Sequence, residues 1–290
     1  MTWTGRCTAH RNRVPGSHNK EFVEIILNNH VAFAATGRED LDPRLPTVIF
    51  IHGAGLDHTV WTLFNRYHAR NKFNSIAVDL PGHRRSGGNP RPSIEASARW
   101  LLEFIHSLGI EKAALVGHSM GALVALETAY QAQPTISRLA LLGAAIPMTV
   151  ADPLLNAARA NDHSAVDMIM LYSHAYISQL GGNPVAGIHI LNSNMRLLER
   201  NLENVLYADL RACHEYNNGL AAARNISVPV TLILGEEDRM TPPAQAADLI
   251  NALAQVQVEI LPDCGHMMLS EQPEAVHRVL ARVLSIASPP

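Results

Sequence analysis

Ala113-Ala114-Leu115-Val116-Gly117-His118-Ser119-Met120-Gly121-Ala122 is the stretch on which the reading of this chain turns. Four residues of strand type run into a serine with a glycine two positions away on either side, and 122–131 behind it reads as a helix. A Gly-x-Ser-x-Gly string alone is a weak signal, an ordinary glycine-rich turn being the plainer alternative. A strand before it and a helix behind it make the context of a nucleophile elbow. The reason is steric: a sharp strand-to-helix turn strains the serine backbone, and flanking glycines let two backbones approach closely. The hydroxyl then sits at a helix N-terminus, where free N–H groups and the helix dipole favour a developing anion.

Outward from this turn the chain alternates. Apolar strands are expected at 47–51, 75–79, 113–116, 139–142, 230–234 and 256–261, with helices near 60–70, 93–107, 122–131, 244–254 and 273–286. Strands this apolar, separated by helices, predict a mostly parallel sheet covered on both faces. Before them, 22–27 and 31–35 read as a hairpin across Asn28-Asn29. The segment 147–224 differs: it is rich in Ala, Met, Asn and Tyr, and helical in period around 165–176 and 194–207. Gly181-Gly182-Asn183-Pro184 breaks it, and it has no evident strand. The expected organisation is a polar, basic N-terminal extension at 1–20, an α/β core at 21–146 and 225–290, and a helical insertion at 147–224.

Composition excludes several classes. The chain has 290 residues, with 23 Lys and Arg against 26 Asp and Glu, a net charge of −3. No basic surplus points to nucleic acid. At 47% hydrophobic and 17% charged residues it can bury a sizeable core, which excludes disorder of the whole chain. No apolar run reaches the ~18–20 residues of a membrane span. The start, Met1-Thr2-Trp3-Thr4-Gly5-Arg6-Cys7, has no apolar stretch of the secretory kind. Cys7, Cys213 and Cys264 are odd in number, far apart and without zinc-type spacing. Reduced thiols, a cytoplasmic location and no metal are therefore expected.

A serine nucleophile needs a base, and the base an orienting acid. His266, in Asp263-Cys264-Gly265-His266-Met267, follows the strand at 256–261; Asp238, in Gly235-Glu236-Glu237-Asp238, follows the strand at 230–234. Both fall with Ser119 on the carboxyl edge of one parallel sheet, where open α/β sheets bind ligands. Glu236 and Glu237 compete with Asp238 for the acid role. His52-Gly53-Ala54-Gly55 follows the strand at 47–51, and the N–H groups of Ala54 and Met120 would make a two-donor oxyanion hole. With 15 histidines in the chain most must be structural; His118 is expected to pack beside the elbow and His52 to hold its own loop.

These strings, together with Asp79-Leu80-Pro81-Gly82-His83, resemble in order and spacing the α/β-hydrolase-fold family over about residues 21–290. The resemblance implies an active Ser119–Asp238–His266 triad, a helical cap at 147–224, a small-molecule substrate, and no metal or organic cofactor. It does not specify the substrate, and no substrate-binding residue is assigned. Relatives that open epoxides or remove halide carry aspartate where Ser119 stands, which disfavours those activities. Many carbon–carbon bond hydrolases have asparagine where His118 stands. Arg84 replaces the last glycine of the family's Asp-Leu-Pro-Gly-His-Gly pattern; a cation there would either greet an acidic substrate group or point to solvent.

The expected reaction is hydrolysis of a carboxylic ester or thioester through an acyl-enzyme. A carbon–carbon bond hydrolase or lactonase would use the same residues, and a non-catalytic ligand receptor could retain them. Met148, Met168, Met170, Leu171, Tyr172, Tyr176, Met195 and Tyr207 of the insertion are first of all packing material. Some of its apolar face has to cover the pocket, which favours a short-to-medium acyl group.

Overall fold

Asn28 and Asn29 both take positive φ, 51° and 65°, as the two-residue hairpin turn requires, and join β1 (Phe22–Leu27) to β2 (His30–Thr36). This computed structural model describes residues 21–37, 41–182, 188–201 and 203–285. The expected extension at 1–20, Cys7, Asn183 and Pro184 of the insertion's break, and residue 286 lie outside them.

Beyond the hairpin the elements alternate: β3 (Thr47–Ile51), α1 (Thr62–Arg70), β4 (Asn74–Val78), α2 (Ile94–Ser107), β5 (Ala113–His118), α3 (Met120–Gln131) and β6 (Ile136–Leu142). Six helices follow without a strand among the described residues: α4 (Asp152–Arg159), α5 (Ser164–Ser173), α6 (Tyr176–Gln179), α7 (Ile190–Glu199), α8 (Val205–Glu215) and α9 (Gly219–Asn225). Then come β7 (Val230–Gly235), α10 (Ala247–Ala252), β8 (Val256–Leu261), α11 (Met268–Glu271) and α12 (Pro273–Ser285). The eight strands form one sheet in the order β1-β2-β4-β3-β5-β6-β7-β8. Pairing is antiparallel for β1–β2 and β2–β4 and parallel from β4 through β8.

The strand period of two sorts side chains to the two faces. In β3, Ile49 and Ile51 join Leu101, Phe104, Leu115 and Leu123 under α2 and α3. Val48 and Phe50 pack on the other face with Trp61, Phe64, Val116 and Leu280 under α1 and α12. Covered on both sides, the central strands are buried throughout. The insertion has its own cluster, with Leu154, Val166, Ile169, Met170, Leu198 and Leu210. Leu56 and Met267, from loops at the carboxyl edge of the sheet, belong to that cluster, so the inserted helices rest on the edge that carries the candidate site residues.

Several boundaries differ from the sequence expectations, each for a local reason. The helical period at 194–207 is broken, because Asn204 enters the left-handed region at φ 66° and separates α7 from α8. The helix expected at 244–254 opens as the 3-10 turn Pro243–Ala246 and ends where Leu253 turns extended, which leaves α10 only Ala247–Ala252. The period at 165–176 ends at Ser173, with His174 extended. The strand at 113–116 runs on through His118, directly into the elbow.

Candidate active site

Ser119 has φ 54° and ψ −120°, a conformation that costs an L-residue on the order of 1–3 kcal/mol and persists only where its surroundings hold it. They do so here through glycine. A Cβ on Gly117 would lie 2.1 Å from Gly121 O, and one on Gly121 only 2.3 Å from Ile51 O and 2.6 Å from His52 O. Both flanks must be bare for the strand, the turn and the end of β3 to meet. Ser119 N donates to Leu142 O at 2.8 Å, tying the elbow to the end of β6. Met120 opens α3, so its N–H is a first-turn donor without an intrahelical acceptor.

His266 stands five residues past the end of β8 and Asp238 three past the end of β7. His266 Nδ1 donates to Asp238 Oδ2 at 2.7 Å, and Thr241 Oγ1 donates to the same oxygen at 2.8 Å. Asp238 Oδ1 accepts the Met240 and Thr241 N–H groups, each at 2.8 Å. Burial alone pushes the Asp238 carboxyl up, but the positive form of His266, its hydrogen bond and the two Thr241 donors together hold it below the usual carboxylate range. The imidazole lies against the end of β6, where a Cβ on Gly143 would come within 3.0 Å of His266 Cε1 and Nδ1. The Ser119 amide is anchored at that same strand end. Among the described residues neither the Ser119 hydroxyl nor His266 Nε2 has a hydrogen-bond partner, the loose arrangement such pairs commonly take before substrate binds.

The loop after β3 lies beside the elbow: a Cβ on Gly53 would sit 3.3 Å from Ser119 Cβ. Gly55 is left-handed at φ 62°, with Leu206 and Leu198 of the insertion pressed on the place of its missing side chain. Ala54, between these glycines, carries the N–H expected to face an oxyanion. His52 is fully engaged, Nδ1–H donating to Gly53 O at 2.9 Å and Nε2 accepting Leu80 N at 3.1 Å. Burial and the nearby His83 push its pKa down to about 4. His118 donates from Nε2 to His266 O at 2.8 Å, and burial followed by the His266 charge pushes it down to about 3. Both are neutral loop supports at neutral pH.

Glu236 and Glu237 do not reach the imidazole. Glu237 Oε2 accepts Tyr176 N at 3.0 Å and Glu236 Oε2 accepts Asp263 N at 3.4 Å. Arg84 is exposed, and its φ of 42° is the conformation a glycine would take there. Met148 and Met170 are buried in packing, whereas Leu171, Tyr172 and Tyr176 are exposed. Asp57, His58 and Asp79 come close enough to share a cation. Asp57, however, is engaged by Arg200 through two contacts at 2.8 Å, and Asp79 already accepts His58 N and Nδ1.

Two supporting residues escape sequence reading. Thr241 grips Asp238 from three positions on, a spacing typical of local side-chain turns and therefore findable. Glu271, buried in α11, accepts Gly265 N at 3.1 Å and Ala175 N at 2.8 Å, clamping the His266 loop to the insertion. No short spacing announces that contact. Burial raises the Glu271 carboxyl above its ordinary range despite these donors.

The chain is 28% identical over 249 residues to the pimeloyl-[acyl-carrier protein] methyl ester esterase of Aromatoleum aromaticum, covering 79% of this chain and 94% of that one. It is 27% identical over 267 residues to an uncharacterized protein of Mycobacterium tuberculosis, covering 84% and 76%. In structure it is similar to the enol-lactonase from Burkholderia xenovorans LB400, with a TM-score of 0.79 at 20% identity over 91% of this chain and all of that one. The alpha/beta hydrolase family model matches residues 48–279, from β3 into α12 and across the loops that carry Ala54, Ser119, Asp238 and His266, and the chain belongs to that family.

Proposed function

We propose that the chain is a serine hydrolase that cleaves a carboxylic ester or thioester of short-to-medium acyl chain, with residues 147–224 acting as the cap over its pocket. The observation that carries this reading is the buried imidazole–carboxylate contact of His266 with Asp238 at 2.7 Å, beside a serine in elbow conformation. Ser119 Oγ attacks the acyl carbon while His266 Nε2 takes its proton. Asp238 keeps the Nδ1–H tautomer and stabilises the imidazolium. The Ala54 and Met120 N–H groups hold the oxyanion. His266 returns the proton to the leaving oxygen or sulfur, the acyl-enzyme remains on Ser119, and water activated by the same imidazole releases the acid.

The family membership supports hydrolysis as the reaction class; the ester bond and the chain length are the finer part of the proposal. A fluorophosphonate probe should label Ser119, and p-nitrophenyl esters should turn over with an optimum at short-to-medium chains. Ser119→Ala should lower kcat by at least ~10³-fold. Labelling that survives Ser119→Ala would refute the nucleophile, and a kcat/KM that climbs steadily to palmitate would refute the pocket.

A further inference from the structure

The Ala54 N–H sits in a segment with little stiffness of its own, since Gly53 and Gly55 bracket it and glycine gives the backbone its widest freedom. Catalysis by an oxyanion hole requires the opposite, donors fixed before charge develops. What fixes this loop comes from the insertion. Asp209, on α8 and 3% exposed, accepts Gly55 N at 2.8 Å through Oδ2. Asn201, between α7 and α8, donates from Nδ2 to Gly55 O. Both peptide groups of Gly55 are therefore gripped by side chains more than 140 positions away in sequence.

Asp209 is itself held. His83, in the turn after β4, donates from Nε2 to Asp209 Oδ2 at 2.8 Å and from Nδ1 to Pro81 O at 3.1 Å. Both partners are acceptors, so both ring nitrogens carry hydrogen, and the contact is an imidazolium–carboxylate pair with its side chains 1% and 4% exposed. Burial works against the charged ring, but the Asp209 carboxylate and its hydrogen bond prevail and raise the His83 pKa above its ordinary value. The catalytic scheme above uses neither residue.

We infer that Asp209, held and oriented by His83, is a positioning residue for the oxyanion hole: it aims the Gly55 peptide and through it the Ala54 N–H. The inference rests on the proposed serine-hydrolase chemistry and assigns the insertion a part in transition-state stabilisation. Loss of one oxyanion donor lowers kcat by roughly 10²–10³-fold, so Asp209→Ala should lower kcat about 10²-fold with KM little changed. The decisive readout is phenylboronic acid, which forms an anionic tetrahedral adduct on the serine. Its affinity should weaken by about the same factor as kcat/KM. Asn201→Ala, at a half-buried site, removes the second grip and should reproduce the effect more weakly without a large change in Tm. It serves as the working test if Asp209→Ala fails to fold.

Rates and boronate affinity within about twofold of wild type, with only Tm lowered, would reduce Asp209 to a structural support. A fall in kcat without loss of boronate affinity would also overturn the inference, because the defect would lie outside the oxyanion hole. A wild-type protein inert to both esters and phenylboronic acid removes the hydrolase reading and this one with it. An active wild type with an indifferent Asp209→Ala removes this one alone.

Discussion

Asp238→Asn leaves the side chain's shape and volume in place and changes what its atoms can accept. Two backbone N–H groups, Met240 and Thr241, converge on Oδ1 at 2.8 Å, so the amide oxygen of the variant must occupy that side. The NH2 group then replaces Oδ2, facing His266 Nδ1 at 2.7 Å and Thr241 Oγ1 at 2.8 Å. The threonine hydroxyl can rotate and accept. The imidazole can accept only by moving its proton to Nε2, the nitrogen that the proposed mechanism needs bare to take the proton from Ser119. The wrong tautomer costs roughly 10⁴-fold in kcat in enzymes of this mechanism, or about 5.4 kcal/mol of transition-state free energy. KM should change little, because Asp238 lies behind the imidazole. The assay is steady-state hydrolysis of p-nitrophenyl acetate and butyrate, with Tm measured in parallel. Glu237→Gln, which alters only a contact to the Tyr176 amide, should keep wild-type kcat. A folded Asp238→Asn protein within tenfold of wild-type kcat would refute the reasoning.

Three further outcomes are expected. Gly121→Ala forces a Cβ to 2.3 Å from Ile51 O, a backbone atom that cannot rotate away, and should cost at least ~1–3 kcal/mol in urea unfolding; wild-type stability would contradict the close contact. Arg84→Gly relieves a left-handed arginine at φ 42° and should stabilise by about 1 kcal/mol, with kcat unchanged; a loss of rate confined to acidic esters would show that the guanidinium meets the substrate. The raised His83 pKa means the ion pair contributes stability in full below the unfolded imidazole value of about 6.5 and loses it as pH rises through the higher folded value. Tm should therefore fall on the alkaline side, and His83→Gln, scanned over the same range, should lack that limb.

The parts of the molecule legible in the sequence are those whose causes are local. The alternation of Val48, Ile49, Phe50 and Ile51 between two faces follows from the strand period, and the elbow glycines follow from a steric rule that acts within five residues. The approximate places of Asp238 and His266 follow from where strands end. Helix boundaries in the insertion were hidden because their breaks are conformational choices of single residues, Asn204 at φ 66° and His174 in extended form. The contacts of Asp209 and Glu271 join elements far apart in the chain. A buried carboxylate of that kind looks, in sequence, like any acidic residue on a helix.

The position of Asp209 also bears on how this protein can be rebuilt. Segments between β6 and β7 invite exchange, because they enter and leave the sheet at neighbouring strands and carry no strand of their own among the described residues. Here the segment is not a free-standing module. Its Asp209 neutralises His83 and its Arg200 neutralises Asp57, both of which belong to the host. A donor segment lacking these two side chains would strand Asp57 as a buried anion, where truncating one partner of a buried pair costs about 3–5 kcal/mol, and burial would drive the proton off His83 and leave its ring without the Asp209 partner. Chimeras at this junction should therefore be designed as matched sets, with His83 and Asp57 travelling with the graft or being replaced by neutral side chains at the same time.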